Sequence, residues 1–159
     1  MSVSRIKVMF VCYGNICRSP IAEFSFKKLL EDEGLSDRFT VCSSGTSGDH
    51  LGESPDRRAV ATLGMHGISC EGKHASRLLR SNYLDYDYII GMDSRNIDYI
   101  RRMCPPEHVC EIGLLMDFAG GGEVADPYYT GDFERAYLDI TRGCRGLLDH
   151  ILEQHPELR

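Results

Sequence analysis

The sequence predicts one three-layer α/β domain over residues 1–159, with a central four-stranded parallel sheet and helices on both faces. A chain of 159 residues fits one domain of ordinary size. Apolar residues make up 42% and charged residues 26%, which is typical of a globule that buries a real core. Short apolar runs alternate with helical periods along the chain, which favours parallel strands joined by crossover helices.

The first half of the chain has two strand patterns and two helix patterns. The first strand pattern is apolar except at Lys7, which is typical of a strand buried on both faces. Both helix patterns begin with a capping Ser and a Pro, at Ser19-Pro20 and Ser54-Pro55. We therefore predict strands over residues 6–11 and 39–43 and helices over residues 19–33 and 55–66.

The second half repeats this alternation. Asp93 is positioned to cap a helix that Pro105-Pro106 ends, because neither proline can continue it. Apolar residues from Phe133 to Ile151 recur at steps of three and four, which predicts an amphipathic helix. The predictions here are strands over residues 86–92 and 109–112, helices over residues 94–104 and 133–151, and a long loop over residues 113–131. Loops of this length in compact domains are usually functional.

Charge and cysteine usage restrict the class of partner and the compartment. The net charge of −6 argues against a general nucleic-acid or membrane binder, so any bound anion must be held by a local site. No segment has the length of a signal-peptide core or a membrane span. Seven irregularly spaced cysteines favour reduced thiols in the cytoplasm. Without Cys-x-x-Cys or a zinc-type His pair, we expect no metal and no cofactor.

The most informative segment directly follows the first strand and reads Cys12-Tyr13-Gly14-Asn15-Ile16-Cys17-Arg18-Ser19-Pro20. A loop of this length, opening into a helix, can turn successive backbone N–H groups toward one anion. Arg18 adds a planar fork that fits two phosphate oxygens, and the same field favours the thiolate of Cys12, a nucleophile. A lone Cys-x5-Arg also fits a small buried cysteine and a solvated arginine. The preceding strand and following helix favour a phosphate loop.

This segment, continued to Glu23, resembles the phosphate loop and following helix of the low-molecular-weight protein tyrosine phosphatases. Other segments resemble the family in the same order along nearly the whole chain: residues 43–48, 55–56, 74–77, 92–93 and 126–129. The resemblance implies a single-domain, metal-free cytoplasmic phosphatase. Its substrates would be protein phosphotyrosine and small aryl phosphates.

The resemblance also implies a catalytic role for three residues. Cys12 would attack phosphorus and become phosphocysteine, and Arg18 would hold the phosphate oxygens through the transition state. Asp126 would protonate the leaving oxygen and then deprotonate the attacking water, although Asp126-Pro127 alone also fits a plain turn. The expected phosphate-binding residues are Tyr13, Gly14, Asn15, Ile16, Cys17 and Arg18.

Three further groups of residues follow from the resemblance. The supporting network would comprise Asn15, Ser19, Ser43 and His74. The pocket wall would comprise Tyr13, Asp49, Tyr128 and Tyr129. A tyrosine kinase could act on Tyr128 or Tyr129, although adjacent aromatics fit loop packing equally well, and His74 fits a histidine with a local partner equally well. Oxidation could join Cys12 to Cys17, although Cys17 also fits packing beneath the loop.

One position departs from the family pattern. After Thr46-Ser47-Gly48 the family commonly carries an aromatic residue at the pocket entrance, whereas this chain has Asp49-His50. We expect the acidic side chain to disfavour acidic phosphopeptides and Tyr13 to supply replacement aromatic surface.

Three other functions compete with a tyrosine phosphatase. Protein-arginine phosphatases of the same family carry Thr where this chain has Ile16, which disfavours that function. An arsenate reductase needs two further redox cysteines close together, and none lies between Cys70 and Cys104. A non-catalytic phosphate-binding module would not need the full set of Cys12, Arg18 and Asp126.

Overall fold

The structure, a computed structural model, describes residues 5–159. Its strands are β1 (Ile6–Cys12), β2 (Phe39–Gly45), β3 (Tyr88–Gly91) and β4 (Glu111–Leu114). Its α-helices are α1 (Arg18–Asp32), α2 (Arg57–Met65), α3 (Asn82–Asp85), α4 (Ser94–Arg102), α5 (Pro127–Thr130) and α6 (Phe133–Gln154). Three 3₁₀ turns occupy Ser36–Arg38, Leu115–Ala119 and Pro156–Leu158.

The four strands form one parallel sheet in the order β2-β1-β3-β4, which confirms the predicted fold class. Strand β1 pairs with β2 from Ile6–Phe39 to Cys12–Gly45, so both strands end at the same level. The order reverses between β1 and β3, and the segments that follow these two strands leave the sheet at a shared edge. In open α/β sheets, ligands bind at such a switch point.

Alternate residues of β1 face two separate cores, as expected for a three-layer domain. Val8 and Phe10 pack in the larger core with residues of α1, α2 and α6. Met9 and Val11 pack in the smaller core with residues of α3 and α4. Burial on both faces explains why β1 lacks the polar alternation of a half-exposed strand.

Several predicted boundaries differ from the observed ones by one to three residues, and the hydrogen bonds explain two of these differences. Helix α2 begins at Arg57 rather than Pro55, because the Asp56 side chain accepts a hydrogen bond from the Arg58 N–H at 2.8 Å and acts as the cap. Strand β4 covers residues 111–114 rather than 109–112. Its ladder begins where the Glu111 N–H donates to the Asp87 carbonyl at 2.8 Å, and Val109 is exposed.

The predicted loop over residues 113–131 is shorter and more structured than expected. It contains the end of β4, the 3₁₀ turn Leu115–Ala119 and helix α5. Leu115 and Met116 are buried in the larger core, which holds the 3₁₀ turn in place beneath α6. Asp126 caps α5 and Pro127 occupies its first turn, so this segment has a defined conformation.

Within residues 5–159, no helix has the length and apolarity needed to cross a membrane. The absence of a signal peptide was predicted partly from residues 1–4, which lie outside the described part of the chain.

Candidate active site

The loop between β1 and α1 wraps around the end of the first strand. Cys12 is the last residue of β1 and is buried, and Asn15 has a left-handed backbone with φ of 58°. Strand β2 approaches so closely that a Cβ on Gly45 would lie 2.7 Å from the Tyr13 carbonyl oxygen. A larger residue at position 45 would therefore push the loop away from the sheet.

The loop carbonyls are engaged by neighbouring backbone groups, whereas its N–H groups are not. The Cys12, Tyr13 and Ile16 carbonyls accept hydrogen bonds from backbone N–H groups outside the loop at 2.8–2.9 Å. No backbone N–H of residues 13–18 donates to another group within the described chain. This arrangement leaves a row of donors around the Cys12 sulfur, which is the composition of an anion-binding nest.

Asn15 organises a buried network beside the Cys12 sulfur. Its Oδ1 accepts a hydrogen bond from the Ser76 backbone N–H at 2.9 Å, which fixes the orientation of the amide. Its Nδ2 then donates to Ser19 Oγ at 2.8 Å and to Ser43 Oγ at 3.0 Å. Ser19 Oγ lies 3.0 Å from Cys12 Sγ, so the network reaches the sulfur directly.

The network continues through two residues that were not expected at the site from the sequence. Ser43 Oγ donates to Glu23 Oε1 at 2.6 Å, and Lys73 Nζ lies 3.5 Å from the same oxygen. Glu23 is buried and is also paired with Lys27 at 2.7 Å. Glu23 belongs to the segment that resembles the family, but its role depends on contacts with distant residues.

His74 requires a correction. Its side chain is exposed, and its Nδ1 lies 3.3 Å from the Gly52 carbonyl oxygen, away from Asn15, Ser19 and Ser43. The segment instead supports the network through Ser76, whose backbone N–H holds Asn15. Ser76 Oγ also donates to the Ser43 carbonyl at 3.2 Å. In this extended segment the side chain of residue 74 points to the neighbouring loop, while the backbone two residues later faces the site.

Arg18 is held rigidly at the first position of α1. It is only 2% exposed, and its Nη1 donates to Asp93 Oδ2 at 2.6 Å and to the Val124 carbonyl at 2.9 Å. Its Nη2 lies 3.4 Å from Asp126 Oδ2. Burial alone would lower the pKa of Arg18, but the nearby Cys12, Asp93 and Asp126 raise it overall. The guanidinium is therefore a permanent, pre-oriented positive charge in the site.

Asp93 has two roles, of which the sequence showed one. Its Oδ1 accepts a hydrogen bond from the Asn96 N–H at 2.9 Å and caps α4, as predicted. Its Oδ2 anchors Arg18, a contact that joins residues 75 positions apart. A helix cap is visible in the local sequence, but this anchoring is not.

Asp126 comes to the site from the segment that precedes α5. Its side chain is 26% exposed, and its Oδ1 accepts a hydrogen bond from the Tyr128 N–H at 3.1 Å. The other carboxylate oxygen faces Arg18. Cys12, Arg18 and Asp126 thus line one cleft, which supports their assignment to one site.

The cleft has a volume of about 680 Å³ and a mixed lining. Tyr13 and Asp49 lie on one wall, where the Tyr13 hydroxyl donates to Asp49 Oδ2 at 2.7 Å. Tyr128 and Tyr129 line the cleft with ring centroids 5.3 Å apart, and Tyr129 is 82% exposed. Several other residues line the cleft without having been expected there from the sequence, namely Thr46, His50, Asp93, Arg95, Asn96, Tyr99 and Arg102.

Cys17 lines the same cleft as Cys12 and is buried at its base. Burial, followed by the negative charges of Asp56 and Cys12, raises the pKa of Cys17 to about 12. Cys17 is therefore a neutral thiol at physiological pH, and it does not compete with Cys12 as a nucleophile.

This geometry has the parts needed for phosphoryl transfer to sulfur. It has a buried thiol at the end of a strand, a row of N–H donors, a fixed guanidinium and a carboxyl group on the facing segment. These are the elements that a cysteine-dependent phosphatase requires.

Comparison with known proteins specifies the class. Residues 7–157 match the family profile described as low molecular weight phosphotyrosine protein phosphatase. The chain is 39% identical over 152 residues to the low molecular weight protein-tyrosine-phosphatase YfkJ of Bacillus subtilis, covering 94% of this chain and 97% of that protein. It is also 39% identical over 150 residues to the low molecular weight phosphotyrosine protein phosphatase of Sus scrofa, with coverages of 91% and 94%.

Solved structures show the same likeness. The crystal structure of YfkJ matches with a TM-score of 0.90 over 95% of this chain and 97% of that chain. That of the Drosophila arginine phosphatase matches with a TM-score of 0.86 at 33% identity, over 92% of this chain and 98% of that chain. The protein belongs to the low-molecular-weight protein tyrosine phosphatase family and is a protein-tyrosine-phosphatase.

Proposed function

We propose that the protein hydrolyses protein phosphotyrosine and small aryl phosphates through a phosphocysteine intermediate. The observation that carries this proposal is the convergence of Cys12, Arg18 and Asp126 on one cleft that is lined by tyrosines. In the first step the Cys12 sulfur bonds to phosphorus, the bond to the aryl oxygen breaks, and Asp126 protonates that oxygen. In the second step Asp126 takes a proton from water, which displaces the sulfur and releases phosphate.

The hydrogen-bond directions around Asn15 support the proposed role of the Cys12 sulfur as the nucleophile. Because Asn15 Nδ2 donates to both serine hydroxyl oxygens, each hydroxyl hydrogen must be directed elsewhere. Ser43 gives its hydrogen to the Glu23 carboxylate. The Ser19 hydroxyl has two acceptors in reach, Cys12 Sγ at 3.0 Å and the Ser44 carbonyl at 3.4 Å. In the proposed mechanism it donates to the nearer sulfur, where the contact stabilises negative charge.

Arg18 supports the transition state because it is fixed before the substrate arrives. Asp93 and the Val124 carbonyl hold one end of the guanidinium, so little reorganisation is needed when charge develops on the phosphate oxygens. A phosphate dianion next to Arg18 would compete with Asp126 for this cation.

The central test measures hydrolysis of p-nitrophenyl phosphate in the presence of EDTA by the intact protein. We expect EDTA-resistant turnover, none for Cys12→Ser, and a loss on the order of 10² or more for Arg18→Lys, since an ammonium lacks the bidentate fork. Cys104→Ser, which alters a half-buried thiol outside the cleft, is the matched control and should retain activity. Inhibition by EDTA, or an active Cys12→Ser variant, would exclude this mechanism.

A protein-arginine phosphatase is the second candidate, favoured by the likeness to the Drosophila arginine phosphatase. Ile16, which lines the cleft, supports the phosphotyrosine assignment instead, since the arginine-specific branch carries Thr there. The test compares kcat/KM for a phosphotyrosine peptide and a phosphoarginine peptide of the same sequence. Faster hydrolysis of the phosphoarginine peptide would favour the second candidate.

Two further predictions concern the surroundings of the enzyme. The exposure of Tyr129 and the half-exposure of Tyr128 support a tyrosine kinase as a partner that acts on either residue. The cytoplasm is the proposed compartment, supported by the seven cysteines, all of which are free thiols in residues 5–159.

A further inference from the structure

The wall of the cleft that α4 forms is strongly basic. Arg95 and Arg102 line the cleft directly, on either side of Tyr99. The Arg102 guanidinium lies 5.6 Å from the centroid of the Tyr99 ring, and Arg77 Nη2 donates to the Tyr99 hydroxyl at 3.4 Å. We call Arg77, Arg95, Tyr99 and Arg102 the arginine wall.

The guanidinium groups of this wall are available to a ligand. All three are exposed, and within residues 5–159 none forms an ion pair with a carboxylate. Arg95 and Arg102 line the cleft without a carboxylate partner among these residues, although the chain has a net charge of −6. Unpaired cations on the wall of a cleft attract anionic groups of a ligand.

The position of Arg95 does not favour the helix that carries it. It lies in the first turn of α4, where the partial positive charge of the helix N-terminus disfavours a cation. The N-terminus of α4 already has an anionic partner, because Glu123 Oε2 accepts a hydrogen bond from the Ser94 N–H at 3.0 Å. Arg95 takes no part in this contact. Asp93, the cap of the same helix, anchors Arg18, which places this turn next to the phosphate site.

The carboxylates around the cleft are engaged elsewhere or form no ion pair with this wall. Asp93 and Asp126 are paired with Arg18, and within the described residues Asp98 of α4 forms no ion pair with Arg95 or Arg102. Asp49 lies on the wall with Tyr13, and its pKa is lowered by hydrogen bonds from Tyr13 and Ser47, with a smaller effect of Arg77. Glu123 is engaged by the Ser94 N–H. A substrate that extends from the phosphate site along α4 therefore meets two guanidinium groups, Arg95 and Arg102, that have no carboxylate partner within residues 5–159.

We propose that Arg95 and Arg102 bind a second anionic group of the substrate. The preferred substrates would then be phosphotyrosine segments flanked by Asp or Glu. This inference rests on the proposed function and specifies its substrate class. It replaces the expectation, based on Asp49 alone, that acidic phosphopeptides are disfavoured.

The test measures binding to the Cys12→Ser protein, so that turnover does not enter the readout. The probes are two phosphotyrosine peptides of equal length, with either Glu or Gln at the two positions on each side of the phosphotyrosine. We expect the Glu peptide to bind roughly two- to ten-fold more tightly at low salt, and 0.5 M NaCl to remove most of this preference. Adding Arg95→Gln and Arg102→Gln together should abolish it.

Arg101→Gln is the matched control. It removes one positive charge from the same helix, but Arg101 lines a different groove with Cys104 and His108, so the preference should persist. Equal binding of the two peptides, a preference for the Gln peptide, or a Glu preference that survives in the double variant would overturn the proposal. Hydrolysis of p-nitrophenyl phosphate by the wild-type protein tests the proposed function separately, since its failure would leave the binding preference intact.

Discussion

At the scale of single residues, Asp126 combines a helix cap with the acid role proposed for it in one carboxyl group. One oxygen caps α5 through the Tyr128 N–H, and the other faces Arg18 at 3.4 Å. The local sequence Asp126-Pro127 explains the cap. The contact with Arg18 joins residues 108 positions apart and depends on the whole fold.

Substitution of Asp126 separates these two roles. We expect Asp126→Asn, which keeps a capping oxygen but cannot donate the acid proton, to lose on the order of 10²–10⁴ in kcat on a phenyl phosphate with a poor leaving group. The loss should be much smaller on p-nitrophenyl phosphate, whose leaving oxygen needs less protonation. Asp126→Ala adds loss of the cap. If Asp126→Asn is nearly as active as wild type, or loses the same factor on both substrates, Asp126 only shapes the loop.

Cys17 illustrates how burial controls redox chemistry at the same scale. A peroxide would oxidise Cys12 first, to a sulfenic acid, and the Cys17 sulfur would then displace water from it to form a disulfide. Because the pKa of Cys17 is raised to about 12, its thiolate fraction is small at neutral pH and grows as pH rises. Trapping should therefore be faster at pH 8.5 than at pH 6.5.

The measurement is recovery of activity with dithiothreitol after a peroxide pulse. We expect the wild-type protein to recover, and to recover more completely at the higher pH, whereas Cys17→Ser should stay largely inactive because Cys12 proceeds to sulfinic acid. Cys104→Ser controls for the loss of a thiol. Equal recovery of wild type and Cys17→Ser would show that Cys17 only packs beneath the loop.

At the scale of elements, the approach of α6 to the 3₁₀ turn Leu115–Ala119 positions the segment that carries Asp126. A Cβ on Gly146 would lie 1.8 Å from the Phe118 carbonyl oxygen, so the helix and the turn are in backbone contact. Only glycine allows this approach. The turn leads directly to Val124 and Asp126, whose positions around Arg18 depend on it.

Replacement of Gly146 tests this contact. In most helices Gly→Ala stabilises, but here the methyl group must displace backbone, and we expect Gly146→Ala to lower the free energy of unfolding by about 1–3 kcal/mol. Gly64→Ala in α2 is the control, because a Cβ there would have no atom within 4 Å and the φ of Gly64 is not positive. It should raise stability by about 0.5–1 kcal/mol. Urea unfolding measures the free energy of unfolding of both variants. An unchanged or higher value for Gly146→Ala would contradict the expected effect of the backbone contact.

At the scale of the whole molecule, an acidic protein brings three arginines into one cleft, together with the carboxylates of Asp49, Asp93 and Asp126. The net charge is −6, yet Arg18, Arg95 and Arg102 all line the same cleft. The strand order explains this concentration, since the reversal between β1 and β3 directs the loop after β1 and the first turn of α4 to one edge of the sheet. A local anion site in an acidic molecule was expected from the sequence, but the contribution of α4 was not.

The sequence by itself determined the fold class, and it was sufficient to predict the phosphate loop and the three residues proposed as catalytic. These features are contiguous or periodic: Cys12 to Pro20 is one uninterrupted segment between a strand and a helix, and the elements follow from apolar spacing and caps. The interactions that produce these features act between residues that are close in the sequence. The local pattern is therefore sufficient to predict them.

Only the tertiary structure decided which distant groups hold that segment in place. In the structure the Ser76 backbone, rather than His74, supports Asn15. Glu23 and Lys73 extend the network beyond Ser43. The Asp93 side chain that caps α4 also anchors Arg18. These contacts depend on strand order and on the directions of single side chains. Strand order and side-chain direction are determined by long-range packing rather than by local conformational preference. They therefore produce no periodic pattern in the sequence.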